Sequence, residues 1–285
     1  MRLLSFGHGY SAQALAEILL PLGWKIRATT RSKEKFSKIV KPGIVTRIWP
    51  DQLLIDDLEW ATHLLISIAP DKYEDLVLKE FREKIIKNIK HFNWVGYLST
   101  TGVYGNYDGA WVDEKEKLKP STLRGQYRVD AEKDWLRLFE TYNLPLHIFR
   151  LAGIYGPGRG PFSKVKSGLA RRVIKKNQVF SRIHVEDIAQ TLSASILNPN
   201  PGAIYNVCDD HPAPPEEVIS YAAYLLGLPN PPKVKFEDAN MTEMARSFYL
   251  ESKRVRNNKI KNELGVLLKY PNYKVGLKAL IKEKF

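Results

Sequence analysis

Hydrophobic and polar positions along the chain alternate between short apolar runs and longer segments whose apolar side chains recur every three or four residues. The first unit comprises an apolar run at Leu3–Phe6, a helical pattern from Ala12 to Leu20 and a second strand-like run over Trp24–Thr29. A strand, a helix and a strand within about thirty residues match the length of a βαβ unit.

The same alternation continues through much of the chain. Further strands are predicted over Ile44–Ile48, His63–Ile68, Trp94–Ser99, Leu146–Arg150 and Ala203–Val207. Helices are predicted over Tyr73–Lys90, Ser121–Tyr142 and Val185–Leu197. Strands alternating with helices indicate an α/β fold of the Rossmann type, with a doubly wound parallel sheet and helices on both faces.

The regular alternation weakens after the glycine- and proline-rich loop Gly156–Pro161. We therefore predict a dinucleotide-binding Rossmann domain over 1–155. A smaller, mixed α/β substrate-binding portion over 156–285 is expected to pack on it, with strand 203–207 a candidate to return to the main sheet.

Composition is that of an ordinary globular protein: of 285 residues, 44% are hydrophobic and 26% are charged. No apolar run reaches the ~18–20 residues that span a bilayer, and the first residues do not resemble a signal peptide. Cys208 is the single cysteine, so no disulfide forms within the chain. These features predict a cytoplasmic protein without membrane contact.

The formal net charge of +13 is unevenly distributed. Eight basic residues and no acidic one lie between Arg159 and Arg182, and ten basic against two acidic residues lie between Lys253 and Lys284. The charge is explained either by a solvated lysine-rich surface or by anionic partners, namely a phosphorylated cofactor, a phosphorylated substrate or nucleic acid. Charge alone does not choose among them.

The motif Gly7-x-Gly9-x-x-Ala12 directly follows the first strand and opens the first helix. The first glycine permits a tight turn, the second lets the backbone approach a pyrophosphate, and the small alanine allows close packing of helix on strand. The helix N-terminus offers N–H groups to the phosphates. The predicted cofactor contacts of this turn are Gly7, His8, Gly9, Tyr10, Ser11 and Ala12.

The end of the second strand bears on the choice between NADP and NAD. An NAD site usually has an acidic residue about twenty positions after the glycines, where this chain has Thr30-Arg31-Ser32. An arginine flanked by hydroxyls suits a 2′-phosphate. We therefore predict NADP as the cofactor, with NAD the less favoured alternative.

In combination and order, several motifs resemble the extended short-chain dehydrogenase/reductase family, which contains NAD(P)-dependent epimerases and dehydratases. Besides the glycine turn, they are Ser99-Thr100-Thr101-Gly102-Val103-Tyr104-Gly105, Arg150-Leu151-Ala152-Gly153-Ile154-Tyr155-Gly156-Pro157-Gly158, Ile183-His184-Val185-Glu186-Asp187-Ile188, Asn262-Glu263-Leu264-Gly265 and Tyr270-Pro271. The resemblance extends over nearly the whole chain.

The resemblance implies roles for further residues. Thr100 would bind the substrate oxygen that undergoes redox change. Leu151, Ala152 and Ile154 would lie near the nicotinamide, and Ile68, Ala69 and Pro70 near the adenosine half. The residues expected to contact substrate are Tyr104, Tyr155 and Arg159. A homodimer through the helices Tyr73–Lys90 and Ser121–Tyr142 is expected by the same analogy.

The chain departs from the family at the catalytic Tyr-x-x-x-Lys pair. Aligning Ala131-Glu132 with the family pattern places Arg124 at the tyrosine position and Arg128 at the lysine position. Arg128 can bond a ribose hydroxyl, and Arg124 can stabilise negative charge, but a guanidinium does not exchange protons near neutral pH. Tyr127 or Tyr104 is then a candidate for the proton donor. For each of them the alternative interpretation is a purely structural role.

The histidines lack metal-binding spacing, so no metal site is predicted. His8 is expected to point to solvent or to the adenine side, and Glu186 or Asp187 to cap the helix after His184. Three functions remain open: an NADP-dependent oxidoreductase or epimerase-like enzyme acting on a small, anionic carbonyl or hydroxyl compound; a dinucleotide-binding sensor without catalysis; and, ranked last, a nucleic-acid binder.

Overall fold

The computed structural model of the chain describes residues 1–282, apart from the side chain of Lys38. The last three residues of the predicted substrate-binding portion, 283–285, lie outside the described residues. The strands are β1 (Arg2–Phe6), β2 (Lys25–Thr30), β3 (Ile44–Ile48), β4 (His63–Ile66), β5 (Trp94–Thr100), β6 (Trp111–Val112), β7 (Leu146–Leu151), β8 (Gly153–Tyr155), β9 (Arg172–Ile174), β10 (Arg182–His184), β11 (Ile204–Val207), β12 (Lys233–Lys235) and β13 (Arg254–Val255).

The helices are α1 (Tyr10–Leu19), α2 (Lys33–Ile39), α3 (Leu54–Trp60), α4 (Leu76–Lys87), α5 (Leu123–Tyr142), α6 (Phe162–Lys166), α7 (Val185–Leu197), α8 (Pro215–Leu225), α9 (Glu243–Phe248), α10 (Asn258–Leu264) and α11 (Tyr273–Lys282). Short 3₁₀ turns occur at Leu20–Leu22, Ile89–His91 and Thr101–Tyr104.

Seven parallel strands form the central sheet in the order β11-β7-β5-β4-β1-β2-β3. The chain builds β2 and β3 on one side of β1, then crosses to build β4, β5, β7 and β11 on the other side. Leu3 pairs with Ile26 of β2 on one side and with His63 of β4 on the other. Such a reversal of strand order opens a crevice at the carboxyl ends of the strands, where ligands bind. This arrangement confirms the predicted Rossmann fold.

Helices cover both faces of the sheet because its strands are apolar on both sides. All residues of β4 and β7 are buried, as expected for a parallel sheet between two helical layers. One face packs against α1 and α7, and the other packs against α3, α4 and α5. These two hydrophobic layers fix the carboxyl ends of the strands that form the site.

A third, smaller core lies in the second part of the chain, where α6, α8 and α11 pack together. Two parallel pairs, β8 with β10 and β6 with β13, connect this part to segments that follow the strands of the main sheet, whereas β9 pairs with β12 inside the second part itself. Strand β11 pairs with β7 at the edge of the main sheet, so part of the chain after residue 156 belongs to the central layer.

Some element ends differ from the sequence predictions for identifiable reasons. The helix predicted from Tyr73 begins at Leu76, since the Asp75 carboxylate accepts hydrogen bonds from the N–H groups of Val77 and Leu78. The predicted cap of α7 was wrong: His184 itself is the cap, its Nδ1 accepting a hydrogen bond from Glu186 N at 3.3 Å. Helix α2, which the apolar pattern did not predict, is capped by Ser32.

Candidate active site

A cavity of about 850 Å³ opens at the carboxyl edge of the sheet. Its walls come from the glycine turn after β1, the ends of β4, β5 and β7, the first turns of α5, and the segment from Ala245 to Val255. Ligand pockets for small molecules are typically ~300–1,000 Å³, so this cavity has room for a dinucleotide half together with a substrate.

The glycine turn is held by the end of β2. Gly7 has a φ of 76°, which favours glycine, and its N–H donates to Thr29 Oγ1 at 2.8 Å. The N–H of His8 donates to Thr29 O at 2.8 Å. A Cβ on Gly7 would lie 2.8 Å from Ile68 Cγ1. Gly7 is therefore required by the protein's own packing.

Gly9 differs, because nothing in the protein demands a glycine there. It is exposed, and a Cβ would meet only Gly7 O, at 3.7 Å. It precedes α1 without a side-chain hydrogen bond to the first turn. Tyr10, Ser11 and Ala12, whose N–H groups belong to the first turn of α1, line the cavity, and a helix N-terminus is a favourable site for phosphate oxygens. This bare cradle fits a dinucleotide pyrophosphate.

Tyr10 connects the glycine turn to the loop after β8. Its hydroxyl donates to Pro157 O at 2.8 Å, and the Arg159 guanidinium lies 5.8 Å from the centre of its ring. Burial raises the pKa of Tyr10 to about 12, so the phenol stays protonated at neutral pH. The exposed cation of Arg159 lines the cavity beside the helix terminus, where an anion would be attracted.

His8 corrects one expectation. Its ring does not face solvent or the adenine side but is 3% exposed, with Nδ1 3.1 Å from Ser5 Oγ. Burial lowers the pKa of His8 to about 4, so the ring is neutral at physiological pH. The backbone of His8 is also engaged, since its N–H donates to Thr29 O and its carbonyl accepts from Gln13 Nε2 at 3.1 Å, and His8 does not line the cavity.

The Thr30-Arg31-Ser32 segment lies outside the cavity lining, at the end of β2. The Thr30 hydroxyl accepts from Ser32 N, and the Ser32 hydroxyl accepts from Lys35 N, both at 3.2 Å. These hydroxyls shape the start of α2. Arg31, in the middle of this segment, is exposed.

The predicted contacts to the adenosine half divide into two groups. Ala69 and Pro70 line the cavity, whereas Ile68 is buried behind Gly7. Leu151, Ala152 and Ile154 also line the cavity, as expected for residues near a nicotinamide.

Thr100 lies at the end of β5 and lines the cavity. Its Oγ1 accepts a hydrogen bond from Gly102 N at 3.1 Å, which caps the 3₁₀ turn that follows. A hydroxyl that accepts from a backbone N–H still has its own proton to donate. Thr100 can therefore donate to a substrate oxygen from a fixed position.

The two arginines that the sequence aligns with the catalytic pair of the resembled family behave differently. Arg128 Nη1 donates to Tyr97 OH at 3.0 Å and to Leu98 O at 2.8 Å, so the protein itself anchors the guanidinium beside β5. Arg124 is exposed at the cavity, with Nη2 3.3 Å from Ser247 Oγ on α9. Arg124 is thus the more exposed cation of the two and contacts the opposite wall of the cleft.

The two tyrosines proposed as substitute proton donors lie outside the cavity lining. Tyr127 is half-buried on α5. Tyr104 is fully buried, its hydroxyl donating to Asn206 Oδ1 at 2.8 Å and accepting from Arg150 Nη1 at 3.0 Å. Tyr104 therefore does not face a substrate, because the strand-end turn directs it into the core.

Tyr155, a predicted substrate contact, does line the cavity. It is largely buried, with its ring edge-on to His184 at 5.1 Å. Burial raises the pKa of its phenol well above the usual value. The hydroxyl has no hydrogen-bond partner among the described residues, so it has capacity for one.

A buried polar network supports the floor of the cleft. Glu132 of α5 pairs with Arg150 of β7 at 2.7 Å and accepts from Ser99 Oγ at 2.5 Å. The chain of bonds continues from Arg150 through Tyr104 to Asn206. This network joins α5, β5, β7 and β11, and it fixes the strand end that carries Thr100.

Sequence reasoning missed the wall of the cavity contributed by the second part of the chain. It includes Arg182, Ser247, Phe248, Tyr249, Glu251 and Lys253. No motif or apolar period singles out the segment 245–255, which contains only one turn-and-a-half of helix and a two-residue strand. The sequence signal for this wall was the aromatic pair Phe248-Tyr249, which is followed closely by the charged residues Glu251 and Lys253.

Two negative findings concern other functions. Among residues 1–282, no group of three or more His, Cys, Asp or Glu side chains is placed to hold a metal ion. None of the helices described here is both long and apolar enough to cross a membrane.

No protein-family model matches the chain. It is 57% identical to a functionally unknown conserved protein from Silicibacter pomeroyi DSS, whose solved structure superposes with a TM-score of 0.93 over 99% of this chain and 98% of that one. The two belong to the same family. Protein YeeZ of Escherichia coli is 27% identical over 93% of this chain and 95% of its own length.

A more distant solved structure is that of a named enzyme. The UDP-glucuronic acid 4-epimerase of Bacillus cereus, in complex with UDP-glucuronic acid and NAD, is 17% identical, covers 100% of both chains and gives a TM-score of 0.80. At this identity the likeness shows the fold alone. It confirms the fold predicted from the resemblance to the extended short-chain dehydrogenase/reductase family.

Proposed function

We propose that this chain, with its epimerase fold, is an NADP-dependent oxidoreductase or epimerase-like enzyme acting on a carbonyl or hydroxyl of a small anionic compound. The observation that carries the proposal is the bare glycine cradle at Gly9, which opens on the same cavity as Thr100. A site for a pyrophosphate and a fixed hydroxyl donor therefore share one cleft.

Named groups of the chain would hold the cofactor. The first-turn N–H groups of α1 would bind the pyrophosphate, and Arg31 would bind the 2′-phosphate. Leu151, Ala152 and Ile154 would shield the nicotinamide face from water. The bound cofactor would supply or accept a hydride, and the protein would supply binding, orientation and electrostatics.

On the substrate side, Thr100 would orient the reacting oxygen by donating its hydroxyl proton. The cations of Arg124, Arg159 and Arg182 line the same cavity and favour an anionic substrate. A guanidinium near the reacting oxygen also stabilises the negative charge that develops there.

The test is to incubate the protein with NADPH and a panel of anionic sugars, sugar nucleotides and keto acids. The loss of NADPH fluorescence measures its oxidation. We expect one class to be reduced, and we expect turnover to require both Thr100 and the cofactor. An NADPH-binding protein that turns over no member of the panel would instead support the second function, a dinucleotide-binding sensor. One observation keeps this second function open. The catalytic positions of the resembled family are occupied by Arg124 and Arg128, whose guanidinium groups do not exchange protons near neutral pH.

Arg31→Asp is expected to reverse the preference between the two cofactors. The carboxylate repels a 2′-phosphate and accepts from a 2′-hydroxyl, so the affinity ratio of NADPH to NADH should fall by roughly tenfold or more. Titration of each cofactor by fluorescence measures the ratio. Lys25→Asp makes the same charge change at the other end of β2 and should leave the ratio unaltered. An unchanged ratio in Arg31→Asp would remove Arg31 from the cofactor site.

Tyr127→Phe is expected to leave turnover within about twofold of the parent protein, since its hydroxyl lies outside the cavity. The measurement is kcat on whichever carbonyl compound the panel identifies. A loss of roughly a hundredfold or more would be the signature of a proton donor, and it would show that Tyr127 reaches the substrate after all.

A further inference from the structure

We propose that Lys253 is the proton donor and acceptor that replaces the catalytic tyrosine of the resembled family, whose position on α5 is occupied by Arg124. The proposal rests on the proposed oxidoreductase function, for which it supplies the missing acid/base. Lys253 belongs to the segment leading into β13, far in sequence from the family's catalytic helix.

The ammonium group of Lys253 is bound to the turn that follows Thr100. Its Nζ donates to Gly105 O at 2.8 Å, and the residue lines the cavity. Gly105 ends the 3₁₀ turn that Thr100 begins. The start of α5 packs on that same turn, since a Cβ on Gly125 would lie 3.2 Å from Gly102 O. Thr100, Arg124 and Lys253 are therefore attached to one short turn.

The backbone around Lys253 is held firmly. The preceding residue, Ser252, accepts from the N–H groups of Tyr107 and Gly109, and its own N–H donates to Asn106 Oδ1 at 2.8 Å. The following residue, Arg254, donates its N–H to Ala110 O at 2.9 Å. A side chain on so constrained a segment is preorganised, as a catalytic group must be.

The hydrogen bonds of the ammonium group leave one proton for a ligand. Lys253 Nζ donates to Gly105 O and to Glu251 Oε2, the latter at 2.7 Å. An ammonium has three N–H donors, so the third has no acceptor among the described residues. Lys253 is 8% exposed, and the open side of its surroundings is the cavity.

The electrostatics permit proton exchange. Burial lowers the pKa of Lys253, and the carboxylate of Glu251 opposes part of that effect by favouring the charged form. The other cations lining the cleft have guanidinium groups that do not deprotonate near neutral pH; they are Arg124, Arg128, Arg159 and Arg182. Burial raises the pKa of Tyr249, on the same wall, to about 12, so that phenol stays protonated and is a poor base at neutral pH.

The chemistry balances with a reduced nicotinamide as the reductant. As the substrate carbonyl carbon gains a hydride, the π pair moves to oxygen, and that oxygen takes a proton from the Nζ ammonium. The product is an alcohol and a neutral amine, which regains its proton from water. In the oxidative direction, the neutral amine takes the hydroxyl proton while the carbon loses hydride to the oxidised nicotinamide.

The first test measures the pH dependence of the reactivity of Lys253 itself, and it needs no substrate. Competitive acetylation between about pH 6 and pH 11, analysed by peptide mass spectrometry, gives the pH at which each lysine reacts half-maximally. We expect Lys253 to reach half-maximal reaction at a lower pH than the exposed Lys87, because burial lowers the pKa of Lys253, and we expect Glu251→Gln to lower that pH further. A Lys253 that titrates with Lys87, or that never reacts, would overturn the proposal.

The second test compares the effect of a substitution on kcat with its effect on NADPH affinity. Lys253→Met should lower kcat roughly a hundredfold or more while NADPH affinity stays within about twofold. Lys253→Arg keeps the cation but cannot deprotonate, so it should be folded and equally slow; this variant keeps the test valid if Lys253→Met does not fold. Lys87→Met is the matched control. Full turnover in Lys253→Arg, or a change confined to KM, would overturn the acid/base role, whereas failure of the parent protein to bind NADPH would instead overturn the proposed function.

Discussion

Gly9→Ala is expected to fold normally and to bind NADPH roughly a hundredfold more weakly or worse. The fold tolerates the added methyl group because only Gly7 O lies within 4 Å of it, at an ordinary contact distance of 3.7 Å. The same methyl group would occupy the space through which a pyrophosphate approaches the first turn of α1. A hundredfold loss corresponds to about 2.7 kcal/mol of binding free energy.

The matched variant is Gly7→Ala, two residues earlier in the same turn. Here the methyl group would meet Ile68 Cγ1 at 2.8 Å and the backbone of Ile68 at 3.1 Å, on a residue with a φ of 76°. We expect a stability loss of about 2 kcal/mol or more, because a non-glycine residue is strained there and the neighbour is buried. Urea denaturation measures the stability of both variants, and NADPH fluorescence measures their binding.

The contrast between the two glycines is the informative result. If Gly9→Ala were destabilised as much as Gly7→Ala, the second glycine would serve the fold rather than a ligand. If Gly9→Ala bound NADPH as the parent protein does, the cofactor would not use this turn.

Glu132→Gln is expected to destabilise the protein by about 3 kcal/mol, the largest loss of stability from a single conservative change that we foresee. Glu132 and Arg150 are 1% and 3% exposed, and Glu132 receives three hydrogen bonds from the Arg150 guanidinium. The neutral amide would leave the guanidinium charge buried without a counter-ion, and it would weaken the bond from Ser99.

Urea denaturation of Glu132→Gln, compared with Glu140→Gln, measures this effect. Glu140 lies on the same helix but is exposed, so its replacement should change stability by about 0.5 kcal/mol or less. Equal stability of the two variants would show that the pair beneath the cleft is energetically neutral. Because Ser99 precedes Thr100, we also expect Glu132→Gln to disturb the position of the Thr100 hydroxyl.

The glycine turn was predictable because its chemistry is local. The strand, the two glycines and the helix that form it are consecutive in sequence, and Gly7 has a φ of 76°, a conformation that favours glycine. The doubly wound parallel sheet was predictable from the alternation of strands and helices along the chain. The segment Thr30-Arg31-Ser32 at the end of β2, which has no acidic residue, was likewise visible in the sequence itself.

The catalytic end of the cleft was not predictable from local pattern. The bond from Lys253 to Gly105 joins residues 148 positions apart, and no periodicity marks either partner. Tyr104 shows the converse error: its motif matched a family loop, but the backbone directs the ring into a buried network with Asn206. His8 was misplaced because a polar residue in a phosphate turn gives no sign that Ser5 partners it below the surface.

The two parts of the chain have different roles in the proposed site. The anchored Arg128 and the exposed Arg124 stand where the resembled family has its catalytic lysine and tyrosine, and neither guanidinium exchanges protons near neutral pH. We propose that the second part of the chain compensates through Lys253, whose ammonium group is hydrogen-bonded to the turn after Thr100.

The most direct test of the dinucleotide site is a crystal structure of the protein grown with NADPH. We predict that the pyrophosphate lies against the N–H groups of Ser11 and Ala12, with the 2′-phosphate beside Arg31 and the nicotinamide in the cavity lined by Thr100. A cofactor bound elsewhere on the molecule, or crystals that show none at millimolar NADPH, would contradict the account.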